Sequence, residues 1–157
     1  MSLPRVVPWR DWAEWQTVYA GLYANDPELR MRAVARCRTW RLRGNVPHAI
    51  EATASLVAID DLDLQTASLA RAAAVTRAVN GALDIGQTGR DAKPLNALAE
   101  QAGLPAWLVD VRHGVTHQKL PADGVLRAAC DELLRFFDAT YWRPQSDHLQ
   151  SLRSAAV

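Results

Sequence analysis

Residues 65–83 read QTASLARAAAVTRAVNGAL, and this stretch decides the fold. Alanine dominates it, and its β-branched residues are scattered rather than alternating with polar ones, so the strand reading fails and a long helix is predicted. At helical spacing Leu69, Ala72, Ala73, Thr76, Val79 and Leu83 share the inner side. The small side chains would let a neighbouring helix approach closely.

The same period recurs outward in both directions. Trp12, Trp15, Tyr19 and Leu22 mark one face of a first helix, from about residue 9 to 24. Asn25-Asp26-Pro27-Glu28 stops it and starts another, with Asp26 as cap and Pro27 in the first helical position. Leu29, Ala33, Cys37 and Trp40 form the second stripe, closed by Gly44. Val46-Pro47 opens a third helix through Ile50, Ala54 and Val57, which frays at Asp60-Asp61-Leu62-Asp63. After a loop holding Gly86 and Gly89, a short helix runs from Pro94 to about Gln101 and ends at Gly103. Pro105 starts the helix that carries AWLVDVRHGVTH. Residues 122–142 form the last long helix, with Leu126, Ala129, Cys130, Leu133, Leu134, Phe137 and Tyr141 on its stripe. The tail from Pro144 reads as loose. The expected fold class is all-α, a single bundle of about six or seven helices.

Composition fits that reading. A chain of 157 residues with 49% apolar side chains is one globular domain, large enough for a core without disulfide or metal staples. No apolar run approaches the roughly 18 to 20 residues that a membrane span needs. The opening MSLPRVVPWRDW lacks the apolar stretch and cleavage site of a secretory signal, so an intracellular protein is expected. Cys37 and Cys130 stand in no metal or redox motif and read as reduced, buried small hydrophobes. Eighteen Lys+Arg against seventeen Asp+Glu exclude nucleic-acid binding by bulk charge, leaving only a local patch.

The chemically interesting side chains concentrate in Arg112-His113-Gly114-Val115-Thr116-His117. On a helix at about 100° per residue, Leu108, Val111 and Val115 cluster as the buried stripe. His113 and His117 stack on one face, about 140° and 180° away from Leu108, while Arg112 sits at the border at about 40°. Two imidazoles and a permanent cation suit phosphodiester transesterification. One imidazole takes the proton of a ribose 2′-OH, the other protonates the departing 5′-oxygen, and the guanidinium steadies the charge on phosphorus. On spacing alone, a solvated face with two surface histidines is the plainer reading. A zinc site is the weaker rival, because the position after the first histidine is Gly114, not the glutamate of the zinc-protease pattern, and no third ligand is evident. His48 and His148 are isolated and read as structural or exposed.

Other polar groups await a role. Arg30, Arg32, Arg36, Arg38, Arg41 and Arg43 face Glu28 alone in the second helix, as either a solvated face or a phosphate- or partner-binding surface. Arg77-x-x-Asn80-Gly81-x-x-Asp84 places polar groups at helical spacing, and Arg77 and Asn80, with Thr116, suggest a network bracing the motif helix. Glu51 and Thr53 are open to the same reading, and Trp107 and the N-terminal tryptophans read as core or interface anchors.

Together these blocks resemble the HEPN nuclease domain of the Las-one-like family, endoribonucleases of eukaryotic ribosome biogenesis. The resemblance runs through Trp9-x-x-Trp12-x-x-Trp15, Trp40-x-x-Arg43-Gly44-x-x-Pro47-x-Ala49-Ile50-Glu51-x-Thr53-Ala54 and Val79-Asn80-Gly81-x-x-Asp84-x-x-Gln87. It continues in Gly103-Leu104-Pro105-x-Trp107-Leu108-Val109-Asp110-x-Arg112-His113-x-x-Thr116-His117-x-x-Leu120-Pro121 and closes in Leu126-Arg127, Leu133-Leu134 and Tyr141-Trp142-x-x-Gln145. It implies a HEPN-type helical bundle over residues 1–145, with 146–157 as a loosely ordered tail, working as a homodimer whose motif helices face each other. It further implies metal-independent cleavage of pre-rRNA in the second internal transcribed spacer, in the nucleus and nucleolus, leaving 2′,3′-cyclic phosphate and 5′-hydroxyl ends. Arg112, His113 and His117 take the family's catalytic positions, with no cofactor and no metal. The implied partner is a polynucleotide 5′-kinase, whose contacts in the family come from a long C-terminal region beyond this stretch. Gly114 departs from good helix formers at a cost of about 1 kcal/mol. Rival readings are a non-catalytic HEPN-like module that dimerises and holds RNA or a partner, and a toxin-type ribonuclease.

Overall fold

The computed structural model describes residues 6–84, 93–117 and 119–155. Among them there is no strand; the structure is all-helical. The α-helices are α1 (Trp12–Leu22), α2 (Pro27–Arg43), α3 (His48–Val57), α4 (Leu64–Asp84), α5 (Leu95–Ala102), α6 (Ala106–His117), α7 (Asp123–Phe137) and α8 (Arg143–Ala155). A 3₁₀ turn, Ala58–Asp61, follows α3, and a π-helical turn, Asp138–Trp142, joins α7 to α8 as one continuous rod. Counted as rods, the described residues make seven, as the periodicity predicts. The loop of Gly86 and Gly89, with Gln87, lies outside the described residues.

Local chemistry explains the boundaries. The Asp26 carboxylate accepts from the backbone N–H groups of Glu28 and Leu29, and Pro27 follows in the first turn of α2. Asp11 caps α1 in the same way, accepting from Glu14. Gly103 ends α5 at φ 71°, a left-handed conformation that a residue with a β-carbon rarely takes.

α4 is the hub. It packs against α3, α5, α6 and α7, while α1 packs on α2 and α2 on α3. Helices on several sides need a wide inner surface, and Ala67, Ala72, Ala74, Val75, Ala78, Val79, Ala82 and Leu83 supply it. This corrects two positions of the predicted face: Leu69 is 64% exposed and Ala73 is also exposed, because the surrounding helices leave that side of α4 open. Leu29, predicted on the α2 stripe, is likewise exposed in the first turn of its helix, while Ala33, Cys37 and Trp40 are buried. Both cysteines are buried, and burial pushes the Cys37 thiol up to about 12.

The tail differs most from expectation. Residues 146–155 are helical rather than loose, and Leu149 is buried. Pro144 offers no N–H and would crowd a regular helix, but it follows the widened π turn, where an irregular ladder absorbs the missing donor. An ion pair between Arg143 and Asp138 straddles the junction, and Asp138 also accepts from the Tyr19 hydroxyl at 2.6 Å. Burial and this contact push Tyr19 up to about 12.

Candidate active site on the α6 face

α6 presents its side chains as the wheel predicts. Leu108, Val109 and Val111 are buried against the bundle, Val115 is half-buried, and His113 and His117 are exposed on the opposite side. Their rings lie 4.8 Å apart at 47°, one turn from each other. The helix runs unbroken through Gly114.

Arg112 stands at the border between the two faces, half-buried, and its guanidinium is anchored: Nε donates to the Asn80 Oδ1 of α4 at 2.9 Å. The anchor fixes the guanidinium against α4 without neutralising it, because its partner is an amide rather than a carboxylate. Of the residues suggested to brace the motif, Asn80 therefore meets it directly. Thr116 instead turns its hydroxyl back onto α6, donating toward the carbonyls of Arg112 (3.0 Å) and His113 (3.1 Å). Arg77 lies on the other side of Asn80, lining a cavity between α3 and α4.

Asp110 is the residue that the motif reading passed over. It stands one turn before His113, and with Asn96 of α5 and His113 it lines an open groove of about 280 Å³. The i, i+3 spacing to His113 was the available signal. Among the described residues, no three His, Cys, Asp or Glu side chains cluster at metal-ligating distance, and no helix is long and apolar enough to cross a membrane.

The remaining candidates take structural places. His48 is half-buried, with Nε2 3.2 Å from the Ala78 carbonyl, so the proton sits on Nε2, and its ring meets Phe137 edge-on. Gly81 permits this: a β-carbon there would collide with the His48 ring. His148 is exposed on α8. Thr53 is fully buried, donating to Ala49 O at 2.7 Å and accepting from the Trp142 indole at 3.0 Å. Glu51 pairs with Arg41 at 3.1 Å, Glu14 with Arg36 at 3.3 Å and Glu28 with Arg32, which leaves Arg38 and Arg43 on the exposed face of α2. Trp107 is 39% exposed on α6, so it does not take a core position.

The fold and the site together define a small all-helical domain that offers an imidazole pair and an anchored guanidinium to solvent. The Las1-like family matches residues 7–144, and the chain belongs to that family. It is 36% identical to Protein LAS1 of Saccharomyces cerevisiae, over 92% of this chain and 32% of that protein. It is 34% identical to Pre-rRNA-processing protein las1 of Schizosaccharomyces pombe, over 89% of this chain and 31% of that one. It is also 34% identical to Ribosomal biogenesis protein LAS1L of Mus musculus, over 89% of this chain and 19% of that one. The chain thus spans a third or less of these relatives.

Proposed function

We propose that this domain is a metal-independent endoribonuclease of the HEPN type that cuts pre-rRNA within the second internal transcribed spacer, acting in the nucleus and nucleolus. The observation that carries the reading is the solvent-facing His113/His117 pair beside an Arg112 held by Asn80. Packing gives no reason for two adjacent imidazoles to face outward, whereas transesterification needs a base, an acid and a fixed cation. The name of the Schizosaccharomyces pombe relative, a pre-rRNA-processing protein, suggests the substrate class, and that of the mouse relative, a ribosomal biogenesis protein, agrees with it.

In the proposed reaction, one imidazole removes the proton of a ribose 2′-OH and the freed oxygen attacks the adjacent phosphorus. The P–O5′ bond breaks as the second imidazole protonates O5′, and Arg112 balances the added negative charge. The products are a 2′,3′-cyclic phosphate and a 5′-hydroxyl. Two copies meeting through α6 would bring both sets of groups to one RNA strand, with exposed Trp107 at the edge of that face. A polynucleotide 5′-kinase, which consumes a 5′-hydroxyl end, is the fitting partner. No cofactor enters the scheme.

The test is RNA cleavage with EDTA present, comparing the wild-type chain with His113→Ala, His117→Ala and Arg112→Ala. Losses of about 10²- to 10⁴-fold are expected for the histidines and about 10²- to 10³-fold for the arginine. Equal turnover in all four would end the assignment. RNA binding without cleavage, alone or with the kinase, would turn the reading to a binding module.

A further inference from the structure

Between α3 and α4, on the far side of Asn80 from Arg112, lies a polar cavity of about 310 Å³. Its walls carry Arg41, Glu51, Ser55, Arg77, Asn80 and Asp84. A smaller depression of about 110 Å³ shares Arg41, Glu51 and Ser55 and extends the trough to Arg38 of α2. The arginine-rich face of α2 and the polar run of α4 thus converge here, and of these the α6 site uses Asn80 alone.

The size and the charges select the ligand. The volume is at the small end of the roughly 300 to 1,000 Å³ that ligand pockets span, which suits one planar group rather than a base pair. Around the larger cavity two carboxylates balance two guanidiniums, and the surplus cation, Arg38, stands only at the end of the trough, so the cavity itself does not select a bare phosphate. A guanine base needs that mixture: a guanidinium for O6 and N7, and a carboxylate for N1–H and the 2-amino group. Arg77 and Asp84 stand two helical turns apart on α4, and neither side chain is engaged in an ion pair or hydrogen bond among the described residues. Arg41 is paired with Glu51, and its side chain is 65% exposed. Arg38, exposed at the end of the trough, is placed for the phosphate that accompanies the base.

We propose that this trough is a recognition pocket for the guanine base of an unpaired nucleotide in the RNA substrate, read by Arg77 and Asp84. The inference rests on the RNA-cleaving reading above, and Asn80 joins the two sites, lining the pocket while it anchors Arg112. Unpaired bases splayed into pockets are the usual route to sequence-specific RNA recognition.

The test is binding, kept apart from cleavage by using fluorescent 2′-O-methyl hexamers that cannot undergo transesterification. One hexamer carries a single guanine among uridines, and the other carries adenine at that position. The wild-type chain is expected to bind the guanine hexamer about tenfold more tightly, the discrimination of one good bidentate contact. Arg77→Ala and Asp84→Asn, both at exposed positions and checked for unchanged melting, should bring the two hexamers within about twofold of each other. No base preference in the wild type, or a preference that survives both substitutions, overturns the proposal. Displacement of the hexamer by micromolar guanosine 5′-monophosphate would assign the pocket to a free nucleotide and also overturn it. A guanine preference in a chain whose cleavage ignores His113→Ala would support the pocket and sink the nuclease; His-dependent cleavage without any preference would do the reverse.

Discussion

The two ends of the molecule treat polar groups in opposite ways. At the aromatic end, Trp15, Trp40 and Trp142 are fully buried, Tyr19 stacks on Trp142 with centroids 5.3 Å apart, and the Trp142 indole ends on the buried Thr53 hydroxyl. Tyr23 donates to the Leu134 carbonyl at 2.9 Å, tying α1 to the α7 rod. On the α4/α6 face the two imidazoles are exposed, and one hydrogen bond, from the half-buried Arg112 guanidinium to the uncharged Asn80 amide, ties α6 to α4. The contrast separates what makes the domain rigid from what it offers to a substrate. Stability resides in large buried rings: the Trp142 indole N–H is paired, while those of Trp15 and Trp40 have no partner among the described residues, and the exposed side chains of α6 contribute little to folding.

Substitutions at the two ends should therefore separate activity from stability. The largest expected effect is on activity alone: His113→Ala and His117→Ala should lose about 10²- to 10⁴-fold in RNA cleavage while changing unfolding free energy by less than about 0.5 kcal/mol. A comparable loss of stability would show that the exposed pair is part of the core's support. At the other end, Trp142→Ala should cost about 3 to 5 kcal/mol of stability, read from urea midpoints. A cost below about 1 kcal/mol would mean that the aromatic cluster is not the anchor described here.

Gly81 lies where the two regions meet. Gly81→Ala gains about 1 kcal/mol in helix propensity but displaces the His48 ring from the Ala78 carbonyl and Phe137, for a net loss of about 1 kcal/mol. In a His48→Ala background the same change should be neutral or stabilising. Loss of stability in both backgrounds would refute the steric explanation.

The smallest effect concerns the clamp between α4 and α7. Asp123 accepts from Ser68 at 2.5 Å and Arg127 at 2.6 Å and pairs with the buried Arg71 at 2.7 Å. The Ser68 hydrogen bond first, and the Arg127 contact next, hold its carboxyl down at about 2, against an ordinary value of 3.8. Because the folded value is the lower one, the stabilisation is present above about pH 4 and is lost as pH falls toward 2. Asp123→Asn should flatten the acid limb of a stability-against-pH curve in that window, and an unchanged limb would remove Asp123 from the clamp.

Local patterns made much of this legible in the sequence. Asp26-Pro27, Gly103 and the stripe of α6 each act over a few residues, where caps, a left-handed turn and helical spacing decide the outcome. The exposure of Leu69 and Leu29 was not legible, because it depends on which neighbours cover α4 and α2. The helix beyond Pro144 was missed because a proline signals an ending unless a π turn precedes it. The Arg112–Asn80 bond spans 32 positions, and the Arg71–Asp123 pair spans 52; no local spacing announces either. The cavity between α3 and α4 likewise exists only once three helices are assembled.

The most direct test of the reading is the chemistry of the ends left on cleaved RNA when the protein acts in EDTA. The expected result is a 2′,3′-cyclic phosphate on one fragment and a free 5′-hydroxyl on the other. A 3′-hydroxyl paired with a 5′-phosphate, or cleavage abolished by the chelator, would contradict attack by the RNA's own 2′-oxygen under the control of His113 and His117.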